Sequence, residues 1–346
     1  MIGENKMRDN KKHGILNNSL RGDIANKSSV LNSYSYLWEI FIIMMNCIFC
    51  EQGSENSRSV EHIVPESLGN KSTILSKGIV CDECNNYFAR KIEEEMLNYP
   101  YFKSVRQRNF ILTKKGRHVP FKMFFPNTKT GWADVCLDNS IVDKTGYNLL
   151  QMSIDNENRD IFNSIMNSNS NRIIIPIHPE PEKNNLIISR FLAKCAVEYL
   201  AYRVCKHEGW YDFIREEQFI PLIKYARYGE GVFWPYSQRR IYGEGVGFID
   251  DKRSSPYEIL NEMDFLVIDS KCNTIKGSVT SDLTNVEVYF ILVIMGVEYA
   301  INLGGQEIYR YEEWLQKHKY ISPINRDDEH QIGYHRGQDI LPLIRK

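Results

Sequence analysis

CIFC at residues 47–50 and CDEC at 81–84 bracket the run EHIVP at 61–65, and the fold turns on how these three pieces are read. Two residues between paired cysteines let a tight turn aim both sulfurs at one metal ion. Two such pairs close a tetrahedral thiolate site, so Cys47, Cys50, Cys81 and Cys84 read as ligands of one structural zinc. Disulfides are the competing reading, but no secretory signal precedes the pairs and disulfides belong to oxidising compartments. The 30 residues between the pairs exceed the usual zinc-ribbon loop. Something is therefore built between them, and His62 is the only histidine of that stretch.

The order of these pieces resembles the HNH endonucleases, the ββα-metal or His-Me finger nucleases, in the subgroup with two CxxC pairs. EHIVPESLG at 61–69 matches the first strand of that pattern, an acidic residue and His followed by I-x-P. CDECNNYFARKIEEE at 81–95 matches the second CxxC opening a helix, with Asn85 at the third signature position. The resemblance covers roughly residues 45–95. It implies an α+β fold: a small zinc-stapled ββα-metal nuclease module followed by a larger mixed α+β region. One departure is plain. The central Asn of the pattern, three residues before the second CxxC, is Gly78 here. That Asn braces the loop, a task for which Ser76 or Asn70 is the available substitute.

The resemblance implies phosphodiester hydrolysis, and the residue types suit it. A neutral imidazole near pH 7 is a natural base for the attacking water, which assigns that role to His62. A hard divalent cation such as Mg²⁺ prefers oxygen ligands, which Glu61 and the amide of Asn85 would supply, with Asn86 as competitor. Each residue also has a plain structural reading. His62 would be a packing or zinc-bound histidine, Glu61 a solvated strand carboxylate with its side chain on the opposite face, and Asn85 a helix cap.

Net charge is −1, so the whole chain advertises no affinity for nucleic acid and any basic surface must be local. One such stretch exists. Between Glu95 and Asp134 there is no acidic residue, while Lys103, Arg106, Arg108, Lys114, Lys115, Arg117, Lys122 and Lys129 are interleaved with aromatics. This reads either as a phosphate track or as a solvated hairpin with an aromatic core. Cys136, Cys195, Cys205 and Cys272 are scattered, as expected of free thiols in a reducing, cytoplasmic setting. The apolar run 37–45 is too short to span a membrane, and no membrane partner is expected.

Along the chain, residues 1–36 read as a disordered arm, with Met44 or Met45 as a candidate start. Residues 37–98 form the nuclease module, and 99–346 an α+β region of open role. Within the latter, 186–205 is an amphipathic helix with Phe191, Cys195, Tyr199 and Tyr202 on one side and Arg190, Lys194 and Glu198 away from it. Residues 211–229 read as a helix interrupted at Pro221 and ended at Gly229. MDFLVIDS and VEVYFILVIMG read as apolar strands, VEYAINLGG as the return of a hairpin, and YRYEEWLQKH as a short helix. Gly243 and Gly245 lack dinucleotide-site spacing, and no Ser-His-Asp arrangement is present. The functional expectation is a metal-dependent endonuclease acting on DNA rather than RNA, in phage defence, restriction or a mobile element. The alternative is a zinc-stabilised nucleic-acid binder without catalysis.

Overall fold

The computed structural model describes residues 45–113, 115–126, 131–144, 148–154, 161, 163, 174, 178–241, 261–275 and 286–324. The expectations for the arm, for Met44, Lys114, Lys129, Gly243 and Gly245, and for the tail beyond residue 324 fall outside these residues.

The cysteine module is small and closely tied. Cys47 N–H donates to Gln52 O at 2.9 Å, and Ile48 N–H donates to Ile79 O at 3.1 Å, which sets the two CxxC turns side by side. Between them the chain folds back once: His62 and Ile74 form an antiparallel bridge. Ile63 N–H to Thr73 O (3.3 Å) and Leu75 N–H to Glu61 O (2.9 Å) flank that bridge. Helix α1 follows, running through Asp82–Phe88, a π-helical turn Ala89–Glu93 and Glu94–Asn98. Its apolar face is turned to the core, with Phe88, Ile92 and Met96 fully buried. Pro100 then opens α2, Pro100–Arg108, where a missing N–H costs nothing.

Helix α3, Leu186–Val204, lies at the centre of the molecule. The Asn185 side chain caps it, accepting from Ile187 N–H at 2.9 Å and Ile188 N–H at 3.1 Å. The sequence places Arg190, Lys194 and Glu198 away from the packed side of this helix. The structure corrects that reading: Lys194 and Glu198 are both 0 % exposed. Most of the helix's 19 residues are buried because it is enclosed from more than one side, by a β-sheet, by the cysteine module and by a later helix. Two short helices follow, α4 (Trp210–Ile214) and α5 (Ile220–Tyr228). Pro221 starts α5 rather than interrupting a longer helix, and Gly229 ends it in the left-handed conformation at φ 71°.

Two antiparallel sheets complete the fold. Strands β1 (Phe121–Phe124), β2 (Trp132–Val142) and β3 (Asn148–Ile154) pair in sequence order. Gln107 of α2 holds this sheet by donating from Nε2 to Val135 O at 2.8 Å. Strands β4 (Tyr236–Arg240), β5 (Asn261–Ile268), β6 (Glu287–Ile294) and β7 (Val297–Asn302) form the second sheet in the order β4-β7-β6-β5. Met295 and Gly296, both at positive φ, make the two-residue β6–β7 turn that the sequence implies. One face of this sheet lies on α3. The other carries α6, Tyr309–Lys317, through Tyr311, Trp314 and Leu315. The fold is α+β, and one hydrophobic core runs without a break from Cys47 through α1 and α3 to β6 and β7.

Phe88 sits in that shared core, edge-on to Phe49 at 4.6 Å. Phe88→Ala should cost about 3–5 kcal/mol. Because the core is continuous, urea unfolding followed by fluorescence of Trp210, Trp234 and Trp314 should shift as one transition. An unshifted tryptophan signal would show that the cysteine module unfolds independently.

Candidate active site

Cys47, Cys50, Cys81 and Cys84 bring their sulfurs within 4.8 Å of one another, and Cys50 Sγ lies 3.6 Å from Cys81 Sγ. Tetrahedral zinc–thiolate bonds of about 2.3 Å place sulfurs about 3.8 Å apart, so the cluster fits zinc. Among the described residues it is the one group of three or more His, Cys, Asp or Glu side chains close enough to share a metal. The thiols already divide a proton unequally. A hydrogen bond from Cys84 lowers the Cys47 thiol to about 5, while that same bond and burial push Cys84 far up. Burial raises Cys50 to about 11. Arg227 of α5 donates from Nε to Cys84 Sγ at 3.1 Å and lies 3.9 Å over the Tyr87 ring. A cation from the far part of the chain thus faces the thiolate cluster.

The Glu61-His62 strand is braced from two further sides. At the start of α1 the Asp82 carboxylate accepts from Arg58 N–H (3.0 Å) and Ser59 N–H (2.8 Å) and from the Ser59 hydroxyl. These bonds, the Ser59 hydroxyl first, lower its pKa. Asn85 Nδ2 donates to Val60 O at 3.3 Å. On the other side stands Lys194. Its ammonium lies 2.5 Å from Glu61 Oε1, 2.7 Å from Glu93 Oε1 and 3.1 Å from Glu198 Oε2. It also donates to His62 O at 3.2 Å and Ile63 O at 3.3 Å. Cys195 Sγ adds a bond to Ile63 O at 3.0 Å. Burial alone would lower the Lys194 pKa, but Glu198, Glu61 and Glu93 hold it well above the ordinary range. Burial, with the neighbouring Glu61 charge, pushes Glu198 well up.

His62 is half-buried, and its Nδ1 is enclosed without a hydrogen-bond partner among the described residues. Glu61 is turned the other way, 6 % exposed and held by Lys194. The alternation of side chains along a strand predicts this separation. The expectation that Glu61 and Asn85 share one cation is therefore not assembled here: Glu61 faces the interior, and Asn85 is half-exposed against Val60. Asn86 is exposed. The missing central Asn has a local explanation. Gly78 sits at φ 88°, and a Cβ there would come within 3.3 Å of the Ser54 carbonyl oxygen. Asn70 braces the loop instead, donating to Val64 O and Thr73 O, each at 2.9 Å, and accepting from Ser72 N–H and Thr73 N–H.

Residues 47–99 match the family model described as HNH endonuclease. This segment is an HNH module. Comparison of the chain with curated proteins and with solved structures returned no match. The match ends at the close of α1, so Lys194, Cys195 and Arg227 lie outside it.

The basic stretch needs correction. Arg106 is buried at 7 % exposure, and burial lowers its pKa, so it faces no phosphate. Lys103 is half-buried on α2, Arg108 ends that helix, and Lys115 and Arg117 are exposed around the Gly116 turn. Tyr101, Phe102 and Phe125 are core, as is Phe88, while Tyr87, Tyr99, Phe110 and Phe124 are half-buried. Sequence reasoning missed Lys194, Asp82 and Arg227. For Lys194 a signal existed: Lys194 and Glu198, one helical turn apart, are set among Ala193, Ala196 and Ala201, residues small enough for close enclosure.

Protein purified without added metal should carry about one zinc equivalent, and Cys81→Ser should lose both the metal and thermal stability. Full zinc with an unchanged melt would remove the site. Lys194→Met leaves carboxylates buried without their cation and should cost about 3–5 kcal/mol. Glu198 behaves differently. Its raised folded pKa means that the stability linked to its proton is full below about pH 4.3 and is lost as pH rises through the folded value. Glu198→Gln should therefore flatten the decline of stability toward high pH, read by thermal melts across pH.

Proposed function

We propose that the protein is a metal-dependent endonuclease that hydrolyses DNA phosphodiester bonds, with His62 as general base. The observation that supports this most directly is the enclosed Nδ1 of His62, without a partner on a strand that is otherwise fully braced. Buried polar atoms in native proteins are nearly always hydrogen-bonded, so an orphan on an imidazole is the form of a base awaiting its proton. The half-buried imidazole of His62 takes the proton of the attacking water. Glu61, held by Lys194, and the His62 carbonyl, held by the same ammonium, fix where the ring stands. Asn85 offers an amide beside that strand.

The family resemblance assigns a divalent cation, Mg²⁺ or another, to this chemistry. When bound, such an ion neutralises charge on the scissile phosphate. The residues as they stand do not assemble its site, because the Glu61 carboxylate is engaged with Lys194. That same engagement favours a second reading, a zinc-stabilised nucleic-acid binder that does not cut.

A nicking assay on supercoiled plasmid and on RNA, with Mg²⁺ and with chelator, separates the two. The nuclease reading expects chelator-sensitive cleavage of DNA. His62→Ala should lower the rate by roughly two to four orders of magnitude while zinc content, fold and DNA affinity stay near wild type. Loss of zinc in that variant would make His62 structural, and wild-type cutting would mean another base.

A further inference from the structure

A groove of about 320 Å³ separates the loop 74–76 of the HNH module from the C-terminal end of α3. Ile74 and Ser76 form one wall; Tyr202, Arg203, Lys206 and His207 belong to the other. Ile74 is the antiparallel partner of His62. The near wall of the groove is therefore the segment that pairs with the His62 strand. Exposed Lys77 follows its near wall.

We propose that this groove holds the nucleic-acid backbone, with Lys206 and His207 as phosphate contacts. The proposal rests on the nuclease reading and adds to it where the substrate lies. Both residues are exposed, and neither is in an ion pair among the described residues. Arg203 is already engaged: it donates to the Tyr199 hydroxyl at 2.5 Å and lies 3.5 Å from Asp264, which fixes it as part of the wall. Tyr202 is 39 % exposed and stacks on Tyr199, centroids 6.1 Å apart, which leaves an aromatic face at the rim for an unstacked base. Acids near it include Asp264, paired with Arg203, and Glu208, which follows His207 on the turn. Cations beyond a helix C-terminus also offset its dipole. That effect explains a Lys just past the end of α3; it does not explain a groove that sets it opposite the segment paired with His62. The alternative track, around Lys115 and Arg117, has lost its central member Arg106 to the interior.

The test is binding of a fluorescently labelled DNA duplex by the full chain in chelator, where no cutting occurs, over a range of salt. Four proteins are compared: wild type, K206E/H207E, the milder K206Q/H207Q, and K115E/R117E. K206E/H207E should bind at least tenfold more weakly and flatten the log–log salt slope by about one to two units, since each lost phosphate contact removes about 0.9. K206Q/H207Q should fall between it and wild type, and K115E/R117E should stay within about twofold of wild type. Zinc content and melting temperature, measured on each, verify folding of these exposed variants. Unchanged affinity and slope in both groove variants overturns the groove while plasmid cutting by wild type leaves the nuclease reading intact. A loss confined to K115E/R117E moves the track to the Gly116 turn and overturns the groove likewise. Wild type that neither binds nor cuts overturns both.

Discussion

The Lys194 ammonium, sealed among Glu61, Glu93 and Glu198, is the contact on which the rest of the site depends. Burying ions costs several kcal/mol each, and mutual attraction repays it when the geometry is close and the remaining protons find acceptors. Here the geometry is close: five oxygens share the three ammonium protons, the three carboxylates at 2.5–3.1 Å and, further out, the His62 and Ile63 carbonyls at 3.2 and 3.3 Å. Three carboxylates against one cation still leave excess negative charge inside. The raised pKa of Glu198 is the structure's answer, because a protonated acid does not add to it. A hydrophobic trio of similar volume would pack as well, but it could not reach into a strand and fix two of its carbonyls.

That strand is otherwise weakly built. A single bridge and two flanking hydrogen bonds pair it with residues 73–75. Two short strands of that size are not stable alone in water. Three outside supports compensate: the thiolate cluster at its ends, Asp82 and Asn85 from the first turn of α1, and Lys194 with Cys195 from α3. Two of the three lie within the segment that matches the HNH family. The third comes from about 130 residues downstream, by way of a helix whose own burial depends on the sheet behind it.

The local parts of this arrangement were legible in the sequence. CxxC spacing located the thiolate cluster, and alternation separated Glu61 from His62. Helix α1, α3 and the strands β5 to β7 appeared where their apolar patterns put them. What failed was long-range. A helical wheel assigns a charged stripe to solvent because that is where isolated charges go. It cannot know that Glu61 and Glu93, about 100 and more residues upstream, present matching carboxylates to Lys194. The same limit hid the burial of Arg106, which the sequence places in a run of cations without acids. Gly78 is the opposite case. As a departure from the family pattern it suggested a weakened loop, yet its left-handed backbone beside Ser54 requires a glycine, and Asn70 supplies the bracing bonds from another position.

Because α3 carries Lys194 near its middle and leads directly to Lys206 at its end, one rod governs two places at once. Lys206 lies two residues past the helix end at Val204, and the ten residues of helical rise from Lys194 to Val204 correspond to about 15 Å of axis. At about 3.4 Å per step along one strand, that is the reach of a few nucleotides. The position of the imidazole and the position of the groove cations are therefore not independent variables of a flexible linker. They are set together by the packing of a single helix between the module and the sheet. This gives the region beyond residue 99 a physical part beside so small a module: it completes the support of the His62 strand.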